Sequence, residues 1–157
     1  HNSWASTEIS TLTNAGILKG YTDGSFRPDA AITRAEFAAI AARFDKLSGG
    51  NKTFSDVPTD HWAYAAITSA AEKGWVNGYS DGTFRPDNAI TRAEVVKITN
   101  AVLMRTCDKD YVADNLSKLI SYNDLTSAYW AYYDIHEASN AHDYKVVNDA
   151  EIWINLK

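Results

Sequence analysis

Arg34 and Arg92 each follow a threonine and precede Ala-Glu, so the chain carries T-R-A-E twice, at residues 33–36 and 91–94. The T-x-x-E spacing predicts a capping box, in which the threonine hydroxyl accepts from one free N–H of a helix start and the glutamate returns to another. The arginine then occupies the first helical position. A helix N-terminus presents unsatisfied N–H groups and a partial positive charge, and a guanidinium fork beside it matches a carboxylate or phosphate. A cation at that position is disfavoured by about 0.3–1 kcal/mol against the helix dipole. Repeating it therefore points to a compensating anion, either a ligand or one of Asp23, Asp29, Asp81 and Asp87, with which the arginines would form salt bridges.

The stretch before each T-R-A-E is also repeated. GYTDGSFRPD (20–29) returns as GYSDGTFRPD (78–87), and residues 20–36 and 78–94 agree at 14 of 17 positions. Asp23-Gly24 and Asp81-Gly82 predict turns with positive φ at glycine, Phe26 and Phe84 can plug the loop into a core, and Pro28 and Pro86 fix the backbone before the next helix. Trp4, Trp62, Tyr21 and Tyr79 supply flat faces for a sugar ring where they line one groove; Trp62 taken alone reads as a core residue. The loop lacks alternating oxygen ligands and a late bidentate glutamate, which argues against calcium. No carboxylate pair, phosphate loop or dinucleotide fingerprint marks a catalytic centre. His1, His61, His136 and His142 show no metal-ligand spacing and read as surface or capping residues. Cys107, the only cysteine, reads as a partly buried thiol near a helix end. No catalytic residue, metal or cofactor is expected.

Helices must position these loops. In the second unit Thr59 or Asp60 is expected to cap a helix from about His61 to Lys73, with Ala63, Ala66, Ile67, Ala70 and Ala71 on its stripe and Gly74 as its stop. After T-R-A-E, Phe37, Ile40, Ala41 and Phe44, or Val95, Ile98, Thr99 and Val102, make an i, i+3, i+4, i+7 face. DKDYVADNLSKLI (108–120) predicts a further short helix. No stretch alternates over a strand length, so the fold class is all-α, with at most a tiny extended pair where the loops meet.

An offset of 58 superposes the first unit on the second. An offset of 68 carries Phe54, Asp56, Trp62, Ala63, Tyr64, Ile67 and Ala70 onto Tyr122, Asp124, Trp130, Ala131, Tyr132, Ile135 and Ala138, a fainter third copy in which Val146-Val147 replaces Gly78-Tyr79. The expected organisation is repeat one at 1–50, repeat two at 51–105, and a linker helix with a degenerate third repeat at 106–157. Units of about 40 residues are too small to stand alone, so they are expected to share a core. The chain has 157 residues, 45% of them hydrophobic, with a formal charge of −5. That balance argues against broad nucleic-acid binding or binding to an anionic membrane. No apolar run is long enough to span a bilayer, and a start at His1 suggests an excised or processed piece.

Residues 54–94, with F-x-D-V, H-W-A, G-Y-x-D-G-x-F-x-P and I-T-R-A-E, resemble the S-layer homology domain; residues 3–44 match without the lead-in, and 122–144 resemble the opening half of a third copy. The resemblance implies a pseudo-threefold arrangement of tandem helix-loop-helix repeats. It implies non-enzymatic, non-covalent anchoring of a secreted bacterial surface protein, through grooves that bind acidic, often pyruvylated, secondary cell-wall polysaccharide or modified peptidoglycan. The family's site residues fall on Arg34, Arg92, Asp23-Gly24, Asp81-Gly82, Trp4, Trp62 and Trp130. Two alternatives stand beside this reading. One is a protein-interaction module contacting neighbouring surface-layer proteins, favoured by an apolar groove; the other is a polysaccharide-cleaving unit, which requires facing carboxylates.

Overall fold

The computed structural model describes residues 5–46 and 49–157, so Trp4 and His1 lie outside the described residues. Both T-R-A-E boxes form. Thr33 Oγ1 accepts from Glu36 N at 3.1 Å while Glu36 Oε2 accepts from Thr33 N at 2.7 Å. The Thr91 and Glu94 pair repeats the exchange at 3.3 and 2.8 Å. These boxes start helices α2 (Arg34–Ala41) and α4 (Arg92–Val102). α1 (Ser6–Asn14) and α3 (Tyr64–Glu72) precede them, and α5 (Lys109–Asn115) and α6 (Tyr132–Ser139) follow.

The chain divides into two compact units, His1–Ile90 and Thr91–Lys157. In each, the T-R-A-E helix packs on a later helix of the same unit, α2 on α3 and α4 on α6. In the first unit the joint is lined by alanine: Ala35, Ala38, Ala70 and Ala71 are at most 1% exposed, with Ile67 between them. This corrects the expected face of α2. Small side chains let two helices approach closely, which leaves the larger Phe37 and Ile40 half-buried at the flank and Phe44 exposed. α3 begins three residues later than expected and is not capped by Thr59 or Asp60; His61 Nδ1 accepts from Ala63 N at 3.1 Å instead. Gly74 ends it at φ 72°, as a C-terminal glycine should.

The second unit corrects the all-α expectation. β1 (His142–Val147) and β2 (Ala150–Leu156) form an antiparallel hairpin. Asn148 and Asp149 turn it, both at positive φ, the requirement of a tight hairpin turn met by residues that tolerate it. β2 does alternate, burying Glu151 and Trp153, but a buried glutamate disguises the period in the sequence. By the 68-residue offset the hairpin stands where repeat two has its GYSDGTF loop, which is itself pinched by Tyr79 N donating to Thr83 O at 2.8 Å. Among the described residues a single bridge, Thr33 to Ala89, joins the two loop ends of the first unit.

Val112, Leu119, Tyr132 and Trp153 form the core beneath the hairpin. The linker fastens β2 along its backbone: Glu151 N donates to Thr106 Oγ1 at 2.8 Å and Trp153 N to Asp108 Oδ2 at 3.1 Å. His136 and His142 are buried rather than superficial, because each packs on an aromatic ring, Tyr132 at 4.6 Å and Trp153 at 3.8 Å. Among the described residues no helix is long and apolar enough to cross a membrane.

Candidate functional site

The repeated loops are locked by their own side chains. Asp81 Oδ1 accepts from Thr83 N and Oγ1 at 3.0 and 2.6 Å, and its Oδ2 pairs with Arg85 Nη2 at 2.9 Å. Asp23, Ser25 and Arg27 repeat the arrangement, and the two guanidiniums lie over Tyr79 and Tyr21 at 3.8 and 4.3 Å. Hydrogen bonds from Thr83, then the Arg85 pair, lower Asp81 to about 2; Asp23 is likewise lowered, first by Ser25. Gly24 and Gly82 take the expected positive φ, and their N–H groups close the turns onto Tyr21 O and Tyr79 O at 3.0 Å. Arg27 and Arg85 also sit at positive φ, which the sequence did not indicate. At Arg85 the strain is held by Asp56, whose carboxylate accepts from Phe84 N and Arg85 N, both at 2.7 Å.

The two T-R-A-E arginines differ. Arg34 is 7% exposed. Its Nε donates to Phe84 O at 2.9 Å and its Nη2 to Asn77 O at 3.0 Å, with the guanidinium carbon 4.6 Å from the Phe84 ring centre. The first N–H groups of α2 are spent as well, Arg34 N on Asn88 O and Ala35 N on Pro86 O. Arg34 is thus a bracket between repeats one and two.

Arg92 is exposed and makes no hydrogen bond or ion pair with any described residue; the N–H groups of Arg92 and Ala93 likewise have no partner among them. These donors open on a pocket of 510 Å³ whose walls include Tyr122, Tyr129, Leu125 and Asp124. The sequence alignment located Tyr122 and Asp124 without assigning them a role, and Tyr129 gave no signal. Trp130 is 54% exposed, beside Tyr129 and under Lys97. Trp62, which alone read as core, is 64% exposed and lines a pocket of 620 Å³ in the first unit, with Lys19, Tyr21, Arg27 and Arg43. Cys107 is half-buried, and burial pushes its thiol up to about 12, which leaves it without nucleophilic character.

The geometry combines locked loops, exposed aromatic faces and an arginine-bearing helix start left open among the described residues. The S-layer homology domain pattern matches residues 1–38 and 53–96, and the chain belongs to that family of non-catalytic anchoring modules, found on secreted proteins of the bacterial cell surface. It is 34% identical, over 98% of its length, to cell surface glycoprotein 1 of Acetivibrio thermocellus. It is 37% identical, over 91% of its length, to the cellulosome-anchoring protein of the same organism. It is also 32% identical, over 83% of its length, to an amylopullulanase of Thermoanaerobacterium thermosulfurigenes. The chain spans 7%, 32% and 7% of those relatives.

Proposed function

We propose that this chain anchors a larger surface protein to the bacterial envelope by non-covalent binding of an acidic secondary cell-wall polysaccharide, pyruvylated or otherwise carboxylate-bearing. The observation that carries the reading is the Arg92 guanidinium, unpaired among the described residues, beside two unpartnered N–H groups at the start of α4, opening on a pocket walled by tyrosines. A carboxylate placed there satisfies three donor groups and offsets the unfavourable cation at the helix start, while Tyr122, Tyr129 and Trp130 offer faces for the sugar. Trp62 and Tyr21 of the first-unit pocket make a second contact on the same polymer through their ring faces. In this reading residues 1–50, 51–105 and 106–157 are three repeats of a pseudo-threefold module. Asp23-Gly24 and Asp81-Gly82 serve by holding the loops, and the third copy contributes walls rather than its own T-R-A-E.

The name of the cellulosome-anchoring relative, which matches 91% of this chain's length at 37% identity, supports the anchoring role. The test is co-sedimentation with isolated cell-wall polysaccharide before and after chemical removal of its acidic ketals. Binding is expected to fall on ketal removal, and to fall equally in Arg92→Ala with untreated polymer. Retention by Arg92→Ala of full affinity would exclude the carboxylate clamp.

A further inference from the structure

Three electron-pair donors of the second unit converge on one buried point. Glu137 of α6, His142 of β1 and Glu151 of β2 each place a ligand-type atom within 4.8 Å of the others, on side chains only 1–2% exposed. His142 Nδ1 lies 2.6 Å from Asn140 O, so it is the donor nitrogen, and Nε2 stands 3.5 Å from Glu137 Oε1 and 3.4 Å from Glu151 Oε2. Such a triangle of acceptors must be met by a hydrogen-bond donor or a cation. Arg105 supplies one, with Nη2 2.8 Å from Glu137 Oε1 and 2.9 Å from His142 Nε2, and Nε 2.6 Å from Glu151 Oε1. One guanidinium faces two carboxyl groups and an imidazole in a buried place, where any unmatched charge is costly.

We propose that Glu137, His142 and Glu151 form a site for a zinc-like divalent transition metal, which enters by exchanging with the Arg105 guanidinium. Bonds of 2.0–2.2 Å in tetrahedral geometry separate ligand atoms by about 3.3–3.5 Å, and His142 Nε2 already stands at that separation from both carboxylates. The supporting contacts are those a metal site needs: Asn140 O fixes the imidazole tautomer, and Trp153 Nε1 holds the far oxygen of Glu137 at 3.2 Å. A divalent ion balances the two carboxylates, and an imidazole with only two carboxylates suits zinc rather than calcium. Arg105 has somewhere to go, since its side chain is 29% exposed and lies along Tyr144 at 4.4 Å. The bound ion would tie α6 to both strands of the hairpin.

Cobalt(II) titration of the metal-stripped chain tests this independently of glycan binding. The expected result is one ion per chain with a tetrahedral absorption spectrum, no thiolate charge-transfer band from Cys107, displacement by zinc, and a rise in melting temperature with either metal. His142→Ala is expected to abolish the spectrum, and Arg105→Gln to bind more tightly than the wild type because the competing cation is gone. Absence of the spectrum at millimolar cobalt, its survival in His142→Ala as an adventitious surface ion, or no tighter binding by Arg105→Gln would each overturn the proposal. Should His142→Ala not fold by circular dichroism, the wild-type spectrum and Arg105→Gln decide.

Discussion

Arg34 and Arg92 occupy the same position of the same four-residue motif, yet their surroundings give them different work. Arg34 donates to two backbone carbonyls of the next repeat and is nearly excluded from solvent. Replacing it with alanine strands the buried Phe84 carbonyl, and losing hydrogen bonds from a charged donor costs about 1.5–3 kcal/mol, with the vacated volume adding to it. Arg34→Ala is therefore expected to lower unfolding free energy by about 2–4 kcal/mol in urea titrations. Arg34→Lys should recover little of this, since a point charge cannot span two carbonyls and lie over Phe84. Arg92→Ala should change stability by less than about 0.5 kcal/mol. Equal effects of the two substitutions would contradict the division of labour. The sequence exposed the pair, its capping boxes and the electrostatic awkwardness of the arginine. It could not separate them, because the difference lies in the surface each helix start faces: the GYSDGTF loop for Arg34, an open pocket for Arg92.

The loop is the element on which the repeats depend, and most of it was legible. Asp-Gly turns, the capping boxes and the glycine ending α3 all follow from local chemistry, which does not need tertiary context. What escaped was set by long-range partners. The positive φ of Arg85 is stabilised by Asp56, 29 positions earlier. The hairpin is held by Thr106 and Asp108, about 45 positions before their partners. The alanine face of α2 exists because α3 is equally small-sided. Asp81 gives the loop a pH dependence whose sign can be worked out. Its carboxyl is held below its ordinary value, so the ionised form stabilises the fold; that contribution is complete above about pH 4–5 and is lost as pH falls through about 2. Comparing unfolding of wild type with Asp81→Asn from pH 6 to pH 2 should show a gap that is widest at the upper end and closes on acidification. A gap that widens toward low pH would show that the Thr83 and Arg85 contacts do not govern this carboxylate.

At the scale of the whole chain, the formal charge of −5 bears on how an acidic polymer can be held. Long-range repulsion between the two opposes encounter and is screened by salt, whereas pairing of Arg92 with a carboxylate is local and weakened by salt. The two effects oppose each other. A protein that binds a polyanion through a broad basic face loses affinity steeply with ionic strength, roughly one power of salt for each ion pair formed. Among the described residues only one guanidinium in the second unit stands open, and in the first-unit pocket Arg27 is already paired with Asp23 and Arg43 donates to Ile17 O. The expected slope of log affinity against log salt is therefore shallow, about one or less in magnitude. Durable attachment then comes from several weak contacts on one polymer, the second being favoured by the effective concentration the first creates. Measuring affinity for the intact polysaccharide and for a short acidic fragment across a range of salt separates the two contributions. The intact polymer should bind far more tightly than the fragment while both show the same shallow slope. A slope of several powers of salt would mean instead that the cations of the first-unit pocket act together as a basic surface.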